Sequence, residues 1–204
     1  DYVEEMSKEG FDPHLDLAKH AGIITQEDID KHNSGERSLS ALRKNYKVVN
    51  YSATYGVGSS TLSRNTGMNK GEAKVLLEAF WSRNWSVERV ANTVRTRELF
   101  GSMWLLNPVS KFWYSLRSDK DKFSTLNQGT GVFCFDSWVS LCRSYGIKTI
   151  GQFHDEIIAL VPEGEEEQTK VTMEQAIENL NKKLELNVPL GVDAQFGNTY
   201  ADIH

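Results

Sequence analysis

The sequence lacks the marks of a secreted or membrane protein. It has no stretch of 18 apolar residues, the length from which a membrane-spanning helix is predicted. It also shows no signal peptide. These absences predict a soluble, intracellular protein of the cytoplasm with no membrane partner. The 204 residues contain no internal repeat or low-complexity tract, so they fit one large domain or two subdomains that share a core.

Cysteine is scarce as well. The two cysteines, Cys134 and Cys142, lie eight positions apart in a segment that is predicted to be helical. Along a helix that interval corresponds to about 12 Å, which is too far for a disulfide bond. Neither cysteine has partners at a zinc-binding spacing. We therefore expect two reduced cysteines in the core.

The chain also lacks the overall excess of basic residues that is common in proteins binding nucleic-acid duplexes. Its formal net charge is −5. An anionic partner would therefore have to meet a local group of cations. Arg43, Lys44 and Lys47 form such a group, and four more arginines are candidates to extend it: Arg83, Arg89, Arg95 and Arg97.

What the sequence does contain is a regular series of side chains in the run RKNYKVVNYSATYG. A helix is predicted over 37–55, ended by Gly56. Each interval of four residues turns only about 40° around a helix axis, so side chains at that interval share one broad face. Two cations followed by two aromatic rings suit the phosphates, sugar and base of a nucleoside triphosphate. The series is Arg43, Lys47, Tyr51 and Tyr55.

The opposite side of this helix is predicted to be apolar, with Val48, Val49 and Ala53 available for packing. The spacing alone also fits an ordinary amphipathic helix whose basic residues face water and whose tyrosines belong to the core.

A second polar segment lies further along, within IKTIGQFHDEIIALVP at 147–162. Apolar and β-branched residues flank His154, Asp155 and Glu156, which predicts two short strands joined by a tight turn with the acids at its tip. Carboxylates are hard oxygen ligands, and Mg²⁺ binds one or two of them together with substrate phosphates. A solvated acidic turn is the alternative for this tripeptide by itself.

In combination, these motifs resemble those of the family A DNA polymerases, the group of bacterial DNA polymerase I and many phage replicative enzymes. RKNYKVVNYSATYG is similar to the family's fingers-helix motif, and FHDEIIALVP to the palm motif that carries a catalytic aspartate. DPH at 12–14 resembles an Asp-x-His element, and NQGTG at 127–131 a Gln-Gly segment beside the primer-template minor groove. The ending NVPLGVDAQFGNTYADIH is similar to the family's C-terminal strand and tail. We expect a phage or viral type.

The resemblance implies an α+β fold: a helical fingers subdomain over 1–101, and a partial antiparallel-sheet palm of a right-hand polymerase over 102–204. It implies template-directed nucleotidyl transfer from deoxynucleoside triphosphates (dNTPs) to a primer 3′-hydroxyl, with two Mg²⁺ ions bridging the attacking and leaving oxygens. Asp155 would be the metal ligand and Glu156 a supporting catalytic residue. Lys47 would neutralise the triphosphate and protonate the leaving group, while Arg43 and His14 grip the outer phosphates.

The remaining implied roles concern sugar and DNA. Tyr51 would pack on the sugar of the incoming nucleotide, and Tyr55 would hold the template position next to the active site. DNA contacts are implied for four more residues: Asn50, Gly56, Gln128 and His154.

One family motif is missing from the chain. The family carries Asp-Tyr-Ser, followed by Glu and Arg, ahead of the Asp-x-His element. Asp1-Tyr2 imitates its start, but VEEMSKEG lacks the Ser and the Arg, and Asp1 lies too close to His14. We therefore expect Asp1 to be a helix residue downstream of the true motif, and one catalytic aspartate to lie outside this chain.

The expected partners follow from that gap. They are primer-template DNA, dNTPs, and a missing N-terminal part with the thumb, the other palm strand and a possible exonuclease domain. The chain by itself is predicted to be inactive. The alternative is a noncatalytic, nucleic-acid-binding remnant of a polymerase.

Periodicity and helix breakers predict the other elements. Residues 25–35, with a capping-like Thr25, are expected to form an exposed polar insertion. A small hairpin is predicted around Asn107-Pro108, and a last strand over 188–194. Further helices are predicted over 13–21, 69–80, 84–99, 128–145 and 164–184.

Overall fold

The computed structural model describes residues 2–203, and only the backbone of residues 2 and 3. Asp1 and the final His204 therefore lie outside the described residues. Helices combine with two small antiparallel sheets, which confirms the α+β prediction. The chain forms two compact units, the first ending at Gly129 and the second starting at Thr130. The functional boundary between 101 and 102 stays a prediction.

Helices dominate the first unit. Those before the first strand are α1 (Tyr2–Met6), α2 (Pro13–His20), α3 (Gln26–Asn33), α4 (Ser40–Thr54), α5 (Ser59–Thr66), α6 (Lys70–Arg83) and α7 (Trp85–Thr93). A sheet follows, made of β1 (Thr96–Leu99), β2 (Ser102–Leu106) and β3 (Trp113–Leu116). A short 3-10 helix (Asp119–Asp121) then leads into α8 (Lys122–Ser144). The second unit adds β4 (Lys148–Phe153), β5 (Glu156–Leu160), α9 (Glu166–Leu184) and a 3-10 helix (Tyr200–Asp202). No helix within residues 2–203 is both long and apolar enough to cross a membrane.

The core of the first unit holds α4 in place. Its buried side consists of Tyr46, Val49 and Ala53, which pack with apolar residues of α2, α5 and α6. Val48, which was predicted to pack there, is 38% exposed instead. Tyr46 takes that place because it lies three residues before Val49, on the same helix face.

The polar segment after α2 is more structured than predicted. Thr25 and Asp28 form a capping box that starts α3, since each side chain bonds the backbone N–H of the other residue. Ile29 is buried in the core of the first unit. The segment is therefore a helix anchored by one apolar side chain rather than a wholly exposed insertion.

The first sheet corrects one predicted helix. The strands pair in the antiparallel order β1-β2-β3, and the β2–β3 pair confirms the hairpin around Asn107-Pro108. The helix predicted over 84–99 was wrong in its last part, because α7 ends at Thr93 and residues 96–99 form β1. Pairing with β2, which places Thr96 opposite Leu105, outweighs the helical spacing of the local sequence.

In the second unit, β4 and β5 pack with α8 and α9. Both cysteines are buried on α8 and free, as predicted. Burial raises the pKa of the Cys142 thiol to about 11, so it stays a neutral core group. The Trp138 ring N–H donates to the carbonyl oxygen of Met173 on α9, at 3.2 Å.

The predicted last strand over 188–194 is wrong, because this segment has no regular secondary structure. The Asn181 side chain on α9 explains how the segment is held. Its amide oxygen accepts from the Leu190 N–H at 2.9 Å, and its amide nitrogen donates to the Leu190 carbonyl at 2.8 Å. These two bonds use the backbone groups that a strand pairing would need.

Candidate functional site

The exposed face of α4 carries the predicted series of side chains. Tyr51 is 52% exposed and Tyr55 46%, whereas Tyr46 is 5% exposed. The alternative in which both predicted tyrosines belong to the core is therefore wrong. Arg43 and Lys47 are exposed on the same helix. The structure thus presents two cations and two aromatic rings to solvent along one element.

The end of α4 depends on Gly56. Tyr55 is the last residue before it, and Gly56 adopts a left-handed backbone with φ of 69°. A Cβ atom at this position would also lie 3.1 Å from the backbone oxygen of Lys120. Both the dihedral angle and the close approach favour glycine here.

Asp12, at the start of α2, connects the segment that carries His14 to the exposed face of α4. The Asp12 side chain caps the helix: its Oδ1 accepts from the backbone N–H of His14 at 2.8 Å and of Leu15 at 2.9 Å. Its Oδ2 accepts from Nε of Arg43 at 2.5 Å. Asp12 belongs to the DPH element, but no role was predicted for it from the sequence. The available signal was an Asp directly before a Pro, a common pattern at helix starts.

The ionisation of Asp12 follows from these bonds. Burial alone would raise the pKa of the carboxyl. The hydrogen bonds from Leu15, Arg43 and His14 outweigh burial, so the pKa lies below its usual value. Asp12 therefore stays a carboxylate and balances one positive charge of the α4 face.

His14 is fixed by Asn50, one α4 residue that sequence reasoning placed at the DNA. His14 is 9% exposed, and its Nδ1 lies 3.0 Å from the Asn50 side-chain nitrogen. An amide nitrogen only donates, so Nδ1 accepts and the neutral ring carries its proton on Nε2. Asn50 also donates to the carbonyl of Tyr46 at 3.2 Å. Its predicted contact with DNA stays a prediction.

Burial is the main reason that the pKa of His14 is lowered. The Asp12 carboxylate acts against this shift, and the positive charges of Arg43 and Lys47 add to it. His14 is therefore neutral near pH 7 and offers an N–H donor rather than a second full charge.

Tyr51 lies among these groups. Its ring centroid is 6.1 Å from that of His14, at an interplanar angle of 52°. Lys47 Nζ lies 5.8 Å from the same centroid, within cation–π range. The structure thus brings together five of the predicted site residues: His14, Arg43, Lys47, Asn50 and Tyr51.

Three of the four arginines that were expected to extend this cluster have their contacts elsewhere. Arg83 pairs with Asp16 and its side chain is only 8% exposed. Arg95 and Arg97 lie over the ring of Trp113, with centroid distances of 5.6 Å and 3.9 Å. The expectation that these three add to the Arg43-Lys47 cluster is therefore not supported by their contacts.

Two further predicted residues meet at the other end of α4. The Gln128 side-chain amide donates to the Tyr55 hydroxyl at 2.6 Å. Gln128 lies inside α8, which starts at Lys122, so the reading of Gln128 as a neighbour of a helix start is wrong. The next residue, Gly129, lies directly against Tyr114, since a Cβ atom there would be 2.8 Å from the ring.

The second unit contains the predicted acidic hairpin. Strands β4 and β5 pair antiparallel as far as Phe153 and Glu156, leaving His154 and Asp155 as the two turn residues. His154 has a left-handed φ of 44°. Asp155 is exposed at the tip, and Glu156 is half-buried. The prediction of two strands joined by a tight turn is confirmed, with Asp155 in the turn, whereas Glu156 is the first residue of β5.

The donor chemistry at this tip suits magnesium. Within residues 2–203, no three His, Cys, Asp or Glu side chains are grouped so that they could hold a metal ion. Mg²⁺, however, uses one or two protein carboxylates and takes its other ligands from water and substrate phosphates. An exposed carboxylate at a hairpin tip fits that requirement.

The fold is similar to that of the POL domain of Pol1 from M. smegmatis, solved in complex with DNA primer-template and dNTP. The TM-score is 0.65 at 21% identity, over 98% of this chain and 36% of that chain. No protein-family model matches the sequence.

The sequence is similar to parts of bacterial DNA polymerases I. The chain is 26% identical to DNA polymerase I of Lactococcus lactis subsp. lactis (strain IL1403), over 98% of this chain and 23% of that protein. It is 27% identical to the thermostable DNA polymerase I of Thermus filiformis, over 79% of this chain and 21% of that protein. The chain thus spans less than a quarter of the length of these relatives. These matches confirm the resemblance to the family A DNA polymerases, whereas a phage or viral source stays a prediction.

Proposed function

We propose that this chain is part of a DNA-directed DNA polymerase, a nucleotidyltransferase that extends a primer from dNTPs during DNA replication. The observation that carries the proposal is the exposed face of α4. There, two cations and two exposed tyrosines follow one another along one helix, and the neutral His14 of α2 lies beside Tyr51. The cations suit the phosphates of a nucleotide and the aromatic rings suit its sugar and base, in the same order along the helix.

Each side chain then has a task in binding. Arg43 supplies a planar fork of donors for the outer phosphates, and Nε2–H of His14 adds a neutral donor. Lys47 supplies a compact positive charge for the triphosphate and a proton for the departing pyrophosphate. The exposed ring of Tyr51 offers a flat surface to the sugar. Tyr55 holds the template position.

The hairpin of the second unit supplies the metal ligand. Asp155 would hold Mg²⁺, which when bound neutralises phosphate charge and acts as a Lewis acid. Glu156 supports Asp155 from the adjoining strand position, and His154 contacts the primer terminus. A second metal-binding aspartate would come from polypeptide outside this chain, as would the thumb and a possible exonuclease domain.

The other proposed contacts are with DNA. Gln128 would donate to the minor-groove acceptors that every base pair offers. Gly56 would allow close backbone approach beside Tyr55, and Asn50 completes the same surface. We place the enzyme in the cytoplasm, at the nucleoid or at a viral replication site.

Primer extension tests the proposal. Residues 1–204 are incubated with labelled primer-template, Mg²⁺ and all four dNTPs, in parallel with the parent protein and its Asp155→Asn variant. We expect extension by the parent alone, because a single carboxylate cannot organise a two-metal site. A parent protein that does not extend the primer would refute the polymerase assignment. Robust extension by residues 1–204 would show instead that the chain contains both aspartates.

The second candidate is a noncatalytic nucleic-acid-binding remnant. The exposed α4 face and the Tyr55–Gln128 pair would serve that role without a metal. The parent reading frame separates the two candidates. An upstream Asp-Tyr-Ser strand supports the polymerase, whereas a start codon directly before Asp1 supports the remnant.

A further inference from the structure

We propose that Asp12 is a positioning residue that holds the Arg43 guanidinium so that its free edge faces the outer phosphates of the incoming nucleotide. This inference rests on the proposed function and deepens it, since it names the residue that decides how firmly the phosphates are gripped. Asp12 itself would touch neither the nucleotide nor the metal.

The Asp12 carboxylate is itself fixed by hydrogen bonds. Its Oδ1 accepts two backbone N–H groups at the start of α2, from His14 at 2.8 Å and from Leu15 at 2.9 Å. Its side chain is 18% exposed. Rotation of the carboxylate would leave the first turn of α2 without its cap. Asp12 is therefore a rigid acceptor and not a mobile surface acid.

Arg43 is held through its Nε atom. Asp12 Oδ2 accepts from Nε, at 2.5 Å, and not from the two terminal nitrogens. A guanidinium has five N–H donors, so a bond at Nε leaves the terminal nitrogens for a bidentate contact with phosphate. The Arg43 side chain is 45% exposed, so these nitrogens are accessible. Fixing a long side chain in advance removes part of the entropy cost of binding.

Asp12 is bonded to both residues that we propose to bind the outer phosphates, Arg43 and His14. The carboxylate that orients Arg43 on α4 also starts the helix on which His14 lies. His14 is in turn fixed by Asn50 of α4. A substitution that removes the charge of Asp12 but keeps a capping side chain would therefore disturb the placement of Arg43 and leave the start of α2 intact.

The opposite effect would arise if the carboxylate competed with phosphate for Arg43. In that case its removal would tighten phosphate binding. The bond through Nε favours positioning, because competition would occupy the terminal nitrogens that phosphate needs. The two effects predict changes of opposite sign.

The test uses inorganic tripolyphosphate as the probe and the 204-residue chain, with binding measured by calorimetry. Asp12→Asn keeps a good helix cap but loses the charge. We expect it to weaken binding by about three- to tenfold, and Arg43→Ala to weaken it at least as much. The double variant should bind no more weakly than Arg43→Ala alone, because without Arg43 there is nothing for Asp12 to position.

Asp28→Asn is the matched control. Asp28 likewise bonds a helix start and pairs with an arginine, Arg37, so the variant changes the same charge away from α4. It should bind tripolyphosphate like the wild type. Asp12→Ser, which caps without reaching Arg43, should reproduce Asp12→Asn and guards against a misfolded variant. Thermal unfolding checks that the variants are folded.

The outcomes separate this inference from the proposed function. Tighter or unchanged binding by Asp12→Asn and Asp12→Ser would overturn the positioning role alone. So would a further loss in the double variant, which would indicate a general structural effect. A wild-type chain that does not bind tripolyphosphate would overturn the proposed phosphate site, and this inference with it.

Discussion

The Tyr55 hydroxyl accepts a hydrogen bond of 2.6 Å from the Gln128 side-chain amide, and this bond ties the end of α4 to α8. Both residues have proposed roles at DNA, Tyr55 at the template and Gln128 in the minor groove. The two side chains would therefore exchange their mutual bond for contacts with nucleic acid. A bond of this kind stabilises the chain by itself and also lowers the gain from binding.

The first prediction concerns the stability that this bond contributes. Tyr55→Phe in the 204-residue chain should lower the free energy of unfolding by about 0.5–1.5 kcal/mol, toward the lower end because Tyr55 is 46% exposed. Urea unfolding measures it, and Gln128→Ala combined with Tyr55→Phe should add little to Gln128→Ala alone. Tyr51→Phe is the control, since the described residues show no partner for its hydroxyl. Equal losses for the two tyrosines would argue against the bond.

The second prediction uses two glycines of α8. A Cβ at Gly129 would lie 2.8 Å from the Tyr114 ring, whereas nothing lies within 4 Å of one at Gly131. Gly131→Ala should therefore stabilise the chain by about 1 kcal/mol through helix propensity. Gly129→Ala should destabilise it by about 1–2 kcal/mol, because the overlap outweighs the same gain. Urea unfolding distinguishes them, and stabilisation by both variants would contradict the packing of Tyr114 on Gly129.

The third prediction is a pH dependence. The pKa of His14 in the folded chain is lowered from 6.5, so the unfolded chain binds more protons in mild acid. The corresponding stability is present above about pH 6.5 and is lost as the pH falls toward the lower folded value. His14→Gln should therefore reduce the decline of unfolding free energy between about pH 7.5 and pH 5.5. An unchanged decline would place the titrating group elsewhere.

The sequence was sufficient for the parts of the fold that depend on local pattern. The interval of four residues on α4 and the alternation around His154 predicted a helix face and a hairpin, and the structure contains both. Predictions from local pattern were wrong where contacts with residues distant in the sequence determine the secondary structure. The 96–99 segment pairs with β2, and Asn181 holds Leu190 where a strand was predicted.

The same distinction applies to the candidate site. Arg43, Lys47 and Tyr51 were visible from spacing because they lie on one helix. Asp12 lies 31 positions before Arg43, and its pairing with Nε depends on how α2 packs on α4. Arg83 was assigned to the exposed cations, but its pairing with Asp16 on α2 buries it. No local pattern carries that information.

The fourth prediction concerns Arg43, Lys47 and Asp155 in the full-length protein that we propose to be a polymerase. Lys47→Ala and Arg43→Ala should each weaken transition-state stabilisation by about 2–4 kcal/mol, the range for losing one preorganised electrostatic donor. Asp155→Ala should weaken transition-state stabilisation by at least as much, while the affinity for DNA stays nearly unchanged. Steady-state kinetics and a gel-shift assay separate the two effects. Lys74→Ala removes an exposed lysine of α6 as the control. Normal kinetics for Lys47→Ala would favour the alternative in which α4 is an ordinary amphipathic helix whose basic residues face water.

The fifth prediction concerns the Tyr51 hydroxyl. The 3′-hydroxyl of an incoming nucleotide helps to order its own phosphates, and a dideoxynucleotide lacks it. If Tyr51 packs on the sugar, its hydroxyl can replace the lost hydrogen bond, whereas phenylalanine leaves polar groups unpaired at a cost of about 1–3 kcal/mol. We therefore expect the intact polymerase to accept dideoxynucleotides almost as readily as deoxynucleotides.

Tyr51→Phe should then discriminate against dideoxynucleotides by about tenfold to a hundredfold. Chain-termination frequency at matched nucleotide ratios measures this discrimination. Tyr55→Phe removes a hydroxyl from the same face of α4 and should not change it, because Tyr55 is proposed to lie at the template and not at the sugar of the incoming nucleotide. Equal discrimination by wild type and Tyr51→Phe would show that Tyr51 does not face the sugar. It would also undermine the assignment of Arg43 and Lys47 to the phosphates, since all three roles depend on one orientation of the nucleotide along α4.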